Sequence, residues 1–303
     1  MSSLAQINKH ERDANISFEA GPHIYTINDG LDKKGQKSKY TSVTTWNHTH
    51  FAQFDADAII TTMMKGRGWP KSKYFGQTRE EIKAGWEQGR DEAAALGTEM
   101  HYQIECYYGG GPPTAPHSDF GVDLGDYKTG MGAYETGMGA YETGMGAYET
   151  GMGADGGGPP VYFMNFIKAC PNLKPYRTEW MIYHEDLLLA GSIDMVYENP
   201  DGTLMIYDGK RTKDIKKSDA FMKYALTECI GHVPDTNFWH YALQLNTYKA
   251  ILEQKYGKKV TKLALVCLHP SKANFEVIPI PVLTSEMEAL FALRREQICN
   301  NIL

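Results

Sequence analysis

The chain has 303 residues, of which 42% are hydrophobic and 22% charged, with a formal net charge of −6. That is room for one large domain with a sizeable core, and an acidic balance at face value speaks against a polyanionic partner such as duplex DNA. The first residues lack the apolar run of a secretory signal, and no stretch approaches the roughly 20 apolar residues of a membrane span. The cysteines (Cys106, Cys170, Cys229, Cys267 and Cys299) are scattered with no C-x-x-C pair. That pattern argues against a disulfide framework, a zinc ribbon and an iron–sulfur cluster. The expectation is an intracellular protein, neither secreted nor membrane-bound.

In chain order, strands are predicted at His23–Ile27 and Tyr40–Thr45, joined by a Lys/Gly-rich loop. Helical periodicity covers 55–65 and 78–108, the second helix opened by a Thr78/Glu81 capping box. Residues 161–170 read as helix and Glu179–His184 as extended chain. Leu189–Glu198 and Thr203–Asp208 read as a hairpin, because Asn199-Pro200-Asp201-Gly202 places Pro second and Gly last in the turn. Phe238–Tyr256 reads as a helix stopped by Gly257. Val260–His269 and Phe275–Ile280 read as strands, and Ser285–Cys299 as a final helix with Ser285 as N-cap. Helices and strands mixed around a hairpin predict an α/β fold with a partly antiparallel sheet.

The middle of the chain changes character. From Thr129 the heptapeptide Thr-Gly-Met-Gly-Ala-Tyr-Glu repeats three times, followed by a partial copy at 150–154. Two glycines per repeat, each costing about 1 kcal/mol in a helix, rule out a heptad coil. The segment reads as a low-complexity linker. Gly109-Gly110-Gly111-Pro112-Pro113 precedes the block and Gly156-Gly157-Gly158-Pro159-Pro160 closes it, as though it were inserted into one Gly-Pro turn. We therefore expect a single domain made of 1–108 and 161–303, interrupted at 109–160.

The hairpin concentrates charge. A type I turn with a bulge at Gly202 sets Asn199 opposite Thr203, and the same register sets Asp194 opposite Asp208. Lys210, two residues further on, shares that face if the strand continues. A divalent cation offsets the repulsion of such paired carboxylates.

Gly191-Ser192-Ile193-Asp194 followed by Asp208-Gly209-Lys210 resembles the core of the PD-(D/E)XK nuclease superfamily. Gly97-Thr98-Glu99-Met100-His101-Tyr102-Gln103-Ile104-Glu105 is similar to the G-T-x-x-H-x-x-x-E helix of its RecB-like branch, and Gln244-Leu245-Asn246-Thr247-Tyr248 to its Q-x-x-x-Y motif. The blocks occur in the family's order and cover about 75 to 270. Tyr40-Thr41-Ser42-Val43-Thr44 resembles a segment of lambda-exonuclease-like members from phages and large DNA viruses.

The resemblance implies a restriction-endonuclease-like mixed sheet and a metal-dependent deoxyribonuclease, of exonuclease type, acting in recombination, repair or replication. It implies Mg²⁺ or Mn²⁺ held by Asp194, Asp208 and His101, with Glu105 binding directly or through water. Lys210 would orient or deprotonate the attacking water, and Gln244 and Tyr248 would position the site or the substrate backbone. DNA contacts are expected from Ser42 and Thr44 and from the cations after the hairpin: Arg211, Lys213, Lys216 and Lys217. Relatives carry a bulky residue where this chain has Gly209, which predicts lower stability or a displaced Lys210. The competing readings are a DNA-binding module on a weakened nuclease scaffold and an interaction protein working through its repeat. A homo-oligomer and a location at viral DNA replication also accord with the resemblance.

Spacing gives some of these roles independent support. His101 and Glu105, like Gln244 and Tyr248, are four apart and share a helix face. Gly97, one turn before His101, permits close approach of a sheet or phosphate. A second basic cluster, Lys255, Lys258, Lys259 and Lys262, reads equally as solubilising charge or phosphate track. The acidity itself is local: 114–158 holds Asp119, Asp123, Asp126, Glu135, Glu142, Glu149 and Asp155 against Lys128. Outside that segment acids and bases balance.

Overall fold

The computed structural model describes residues 3–19, 23–28, 39–109, 160–218, 222–272 and 274–300, so the repeat block lies outside the described residues. Helices α1 (Leu4–Ile7), α2 (Val43–His48), α3 (Ala56–Lys65), α4 (Arg79–Gly109), α5 (Val161–Ala169), α6 (Asn237–Lys255) and α7 (Thr284–Cys299) surround a sheet. The strands are β1 (Ile16–Glu19), β2 (Ile24–Ile27), β3 (Thr41–Ser42), β4 (Lys174–His184), β5 (Leu189–Glu198), β6 (Leu204–Lys210), β7 (Val260–Cys267) and β8 (Glu276–Pro279). The fold is mixed α/β: six strands form one sheet and β1–β2 a separate antiparallel pair.

Strand β5 organises the sheet. Strand β4 pairs antiparallel with it from Leu189 to Glu198. The other neighbours take separate ends, with β3 parallel at Leu189–Ala190 and β6 antiparallel at Met195–Glu198. Strands β6 and β7 run parallel, and β8 closes the edge. One face carries the larger apolar cluster, in which Val43, Trp46, Leu243, Leu245, Ile251 and Phe291 pack on Leu189, Ile193, Ile206 and Leu265. Met100, Phe163 and Phe166 cover Met195, Tyr197, Tyr207 and Val266 from the other face. Burial on both faces explains the near-continuous apolar run of β7.

The turn forms as its residues demand. Gly202 N–H donates to Asn199 O at 2.9 Å, Asn199 N–H to Thr203 O at 2.8 Å, and Gly202 takes φ 79°, a left-handed value open to glycine at little cost. Met195 faces Tyr207 and Glu198 faces Leu204, in the expected register. The Thr78/Glu81 capping box is present, with reciprocal hydrogen bonds of 2.7 and 3.2 Å.

Two expectations are corrected. Tyr40–Thr45 is not one strand: only Thr41–Ser42 is extended, and Val43–His48 is helix. The β-branched run reads as strand locally, but Ser42 Oγ caps the helix at Thr45 N, 3.0 Å away, and Val43, Trp46 and Asn47 bury one helical face. Tertiary packing overrides propensity there. Ser285 does not cap the last helix; Leu283 takes the N-cap position without a side-chain bond, and Ser285 Oγ donates to Glu286.

The two ends joined by the repeat block lie side by side, since the rings of Tyr107 and Tyr108 on α4 sit 5.7 and 5.9 Å from Phe163 on α5. A short turn can span such neighbours. Deleting 114–160 is therefore expected to leave thermal unfolding cooperative and near the full-length Tm, and an unfolded product would refute the single-domain reading.

Candidate metal centre

The β5–β6 ladder ends at Met195–Tyr207, and the strands diverge beyond it. Asp194 and Asp208 occupy the next register position, but they do not meet as a ladder pair. The Asp194 carboxylate instead takes up a freed main-chain donor: Gly209 N–H donates to its Oδ2 at 3.1 Å. The neighbouring Gly209 carbonyl lies 2.9 Å from His101 Nε2. Helix α4 carries His101 to this opening, and its Nδ1 lies 3.3 Å from Glu179 Oε1 and 3.5 Å from Asp194 Oδ2.

Glu179 is the residue the sequence reading missed. It belongs to β4, and the β4–β5 register, with Thr178 opposite Met195 and Trp180 opposite Ile193, sets it beside Asp194. Its φ is 41°, a left-handed value that costs a non-glycine residue energy and gathers at functional positions. Ser192 Oγ donates to its Oε2 at 2.9 Å. Nothing in the sequence marks Glu179 apart from its acidity at the head of an apolar run, because its role depends on a long-range strand pairing. Among the described residues, His101, Glu179 and Asp194 bring ligand atoms within 4.8 Å of one another.

The expected set is split by strand alternation. Asp208 and Lys210 share the side of Leu204 and Ile206, beneath α6, where Lys210 Nζ lies 3.0 Å from Asp208 Oδ2 and 5.0 Å from the Tyr241 ring. Gly209 points the other way, and a Cβ there would meet only Met100 Cε of α4, at 3.7 Å. Asp208 is therefore not a member of the three-ligand group. Glu105 lies on the wall of the same cleft as His101, Glu179 and Asp194, and that wall continues into Ile104, Phe163, Phe166 and Leu268.

The electrostatics follow from this crowding. Burial, and then the charge of Asp208, hold the Asp194 carboxyl well above the usual carboxylate range. Burial works against the charged form of His101, but Asp194 and Glu179 outweigh it and raise its pKa to about 10.

Gln244 and Tyr248 are buried within the body of the protein. Gln244 Nε2 donates to the Tyr248 hydroxyl at 3.1 Å and approaches Thr44 Oγ1 at 3.5 Å. Tyr248 lies directly over Gly191, where a Cβ would stand 2.8 Å from Tyr248 Cε1 and 3.3 Å from Val43 Cγ2. The glycine of the Gly191–Asp194 segment thus admits the tyrosine of α6, which braces β5 three residues before Asp194. Gly97 has no such role, since a Cβ there would meet nothing within 4 Å.

Ser42 Oγ is engaged in capping α2. Arg211 is half-buried, while Lys213, Lys216 and Lys217 are exposed. Asn237 Oδ1 accepts from Lys216 N and Trp239 Nε1 donates to Lys217 O, which pins this segment to the start of α6. The second cluster resolves toward structure: Lys255 pairs with Glu185 and Asp186 at 3.0 and 2.7 Å, and Lys258 and Lys262 lie over the rings of Tyr176 and Tyr207.

The expected penalty at Gly209 is smaller than the sequence implied. The strand runs unbroken through it, paired with Val266. Gly209→Ala is expected to raise stability by about 0.4–1 kcal/mol, because a methyl makes an ordinary contact and the unfolded chain loses freedom. A fall in Tm would show that strand β6 does not tolerate a side chain here.

All five cysteines are free, and among the described residues no helix is long and apolar enough to cross a membrane. No protein-family model and no curated protein sequence matches the chain.

Proposed function

We propose that this chain is a metal-dependent deoxyribonuclease that hydrolyses phosphodiester bonds in DNA, acting as an exonuclease in recombination, repair or replication. The observation that carries the reading is the convergence of His101, Glu179 and Asp194 at the open end of the hairpin, within electrostatic reach of the Asp208–Lys210 pair on the α6 side of β6. One imidazole nitrogen, two carboxylates and the nearby Gly209 carbonyl form a donor set suited to Mn²⁺ or Mg²⁺. Such a cation would lower the pKa of a coordinated water and neutralise phosphate charge.

The protein's own groups have separable tasks in this reading. His101, Glu179 and Asp194 hold the cation, with Glu105 at the cleft wall. Lys210, held as an ammonium by Asp208, orients the attacking water and stabilises the charge that develops on phosphorus oxygens. Arg211, Lys213, Lys216 and Lys217 supply a phosphate track. Ser42 and Thr44 add further contacts to DNA in this reading, and Gln244 and Tyr248 keep β5 in place. An intracellular setting, at a site of viral DNA replication, and a homo-oligomeric assembly accompany this reading.

Metal binding tests it directly. A metal must displace the protons of His101 and Asp194, both held more tightly than usual, so affinity should rise with pH across the neutral range. Calorimetric titration with Mn²⁺ should show that rise in the wild type. Glu179→Gln should weaken binding at least tenfold, and His101→Ala should weaken it and flatten the pH dependence. Equal Mn²⁺ affinity in the wild type and both variants would refute the site.

A further inference from the structure

The sequence between Asp57 and Glu80 holds Lys65, Arg67, Lys71, Lys73 and Arg79 and no acid, in a chain whose net charge is −6. These residues form the connection between α3 and α4. Lys65, Arg67, Lys71 and Lys73 are exposed and make no ion pair among the described residues. Aromatic side chains are interleaved with them. Phe75 is 58% exposed, its ring 5.9 Å from Trp69, and Phe54, 48% exposed, lies 6.0 Å from Trp86. The tip is held in shape from beneath: Trp86 Nε1 donates to the Tyr74 hydroxyl at 2.9 Å, Arg79 Nη2 to Thr61 Oγ1 at 2.7 Å, and Lys83 pairs with Asp57 at 2.8 Å.

Large apolar rings are normally buried, and the cations of a solubilising surface normally alternate with acids. A fixed tip with both features matches the chemistry of an unpaired nucleic-acid strand, whose phosphates meet the cations and whose bases stack on the rings. The geometry points to the α3–α4 tip as a binding surface for single-stranded DNA, separate from the metal centre. Arg79 begins α4 and His101 lies 22 residues along it, about 33 Å at 1.5 Å per residue. The tip therefore holds a strand remote from the bond to be cleaved. The inference rests on the deoxyribonuclease reading only for the choice of DNA as the polymer.

The test is fluorescence anisotropy of a labelled 30-nucleotide oligo-dT and of a duplex of equal length, with full-length protein in EDTA, so that cleavage plays no part. The Lys71→Ala/Lys73→Ala variant should bind oligo-dT about tenfold more weakly. Its log K against log salt should be shallower by about 1.4, as expected for two lost phosphate contacts. Phe75→Ala should lose about tenfold on oligo-dT with an unchanged salt slope and less than twofold on duplex. Melting curves matching the wild type confirm that both variants are folded, as their exposure predicts. Wild-type affinity in both variants, or equal losses on duplex and single strand for Phe75→Ala, overturns the inference. If these shifts occur but the wild type cleaves no DNA with metal, the hydrolytic reading fails and the binding surface stands.

Discussion

Lys210→Ala is expected to reduce metal-dependent DNA cleavage by at least 10²–10³-fold while leaving DNA affinity within a few-fold of wild type. A positioned positive charge on the transition state contributes on that order. The ammonium is 3.0 Å from Asp208 Oδ2, and both side chains are almost fully buried. Removing one partner of such a pair leaves an uncompensated charge, at about 3–5 kcal/mol. Lost activity could then reflect lost folding, so a second variant is needed. Asp208→Asn/Lys210→Met removes both charges and keeps volume, and should recover most of the stability while remaining inactive. Undiminished cleavage by Lys210→Ala would remove this lysine from the chemistry.

Trp180→Ala is expected to cost about 3–5 kcal/mol in denaturant unfolding, as for other fully buried aromatic residues. A domain's whole stability is only about 5–15 kcal/mol. Trp180 is entirely buried and lies within ring contact of His10, Tyr176 and Tyr256. Its Nε1 donates to Asp13 Oδ1 at 3.0 Å, and the Arg177 guanidinium stands 4.9 Å over its ring. It thus ties the N-terminal segment to β4, next to Glu179. Trp180→Phe retains most of the packing and loses the hydrogen bond, so about 1 kcal/mol of its cost should be polar. An unfolding free energy unchanged in Trp180→Ala would show that the N-terminal segment does not depend on this tie.

The same region contributes to acid sensitivity. Burial alone would raise the Asp13 and Glu185 carboxyls, but Arg177 holds Asp13 below its ordinary value, and Arg12, a main-chain N–H and Lys255 bring Glu185 to about 2. A depressed carboxyl stabilises the fold above its unfolded value and loses that contribution as pH falls toward the folded one. Unfolding should therefore become easier between about pH 4.5 and 2, and Glu185→Gln should blunt the change.

Local chemistry made much of the fold legible. The Asn199–Gly202 turn, the Thr78/Glu81 cap and Gly257 each punctuate the chain through side-chain or φ requirements that a sequence states openly. The hairpin register followed from the turn type alone. What escaped depends on distant partners. Val43-Thr44-Thr45 are β-branched, and the Ser42 cap together with burial of Val43 and Trp46 makes them helical. Strand β1 is established by its antiparallel pairing with β2. Within the site, His101 and Asp194 were readable as candidate ligands and meet. The joint placement of Asp194 with Asp208 was inferred from an ideal ladder, whereas the two strands separate a single position before that pair. Glu179 enters through a β4–β5 register that no local pattern announces.

Metal-dependent exonuclease activity is tested most directly by incubating wild-type protein with end-labelled linear DNA and with closed circular DNA, with Mg²⁺ or Mn²⁺ and with EDTA. Progressive release of nucleotides from the linear DNA is expected with metal, none with EDTA, and sparing of the circle. Equal release with EDTA, or no release from either DNA with either metal, would contradict it.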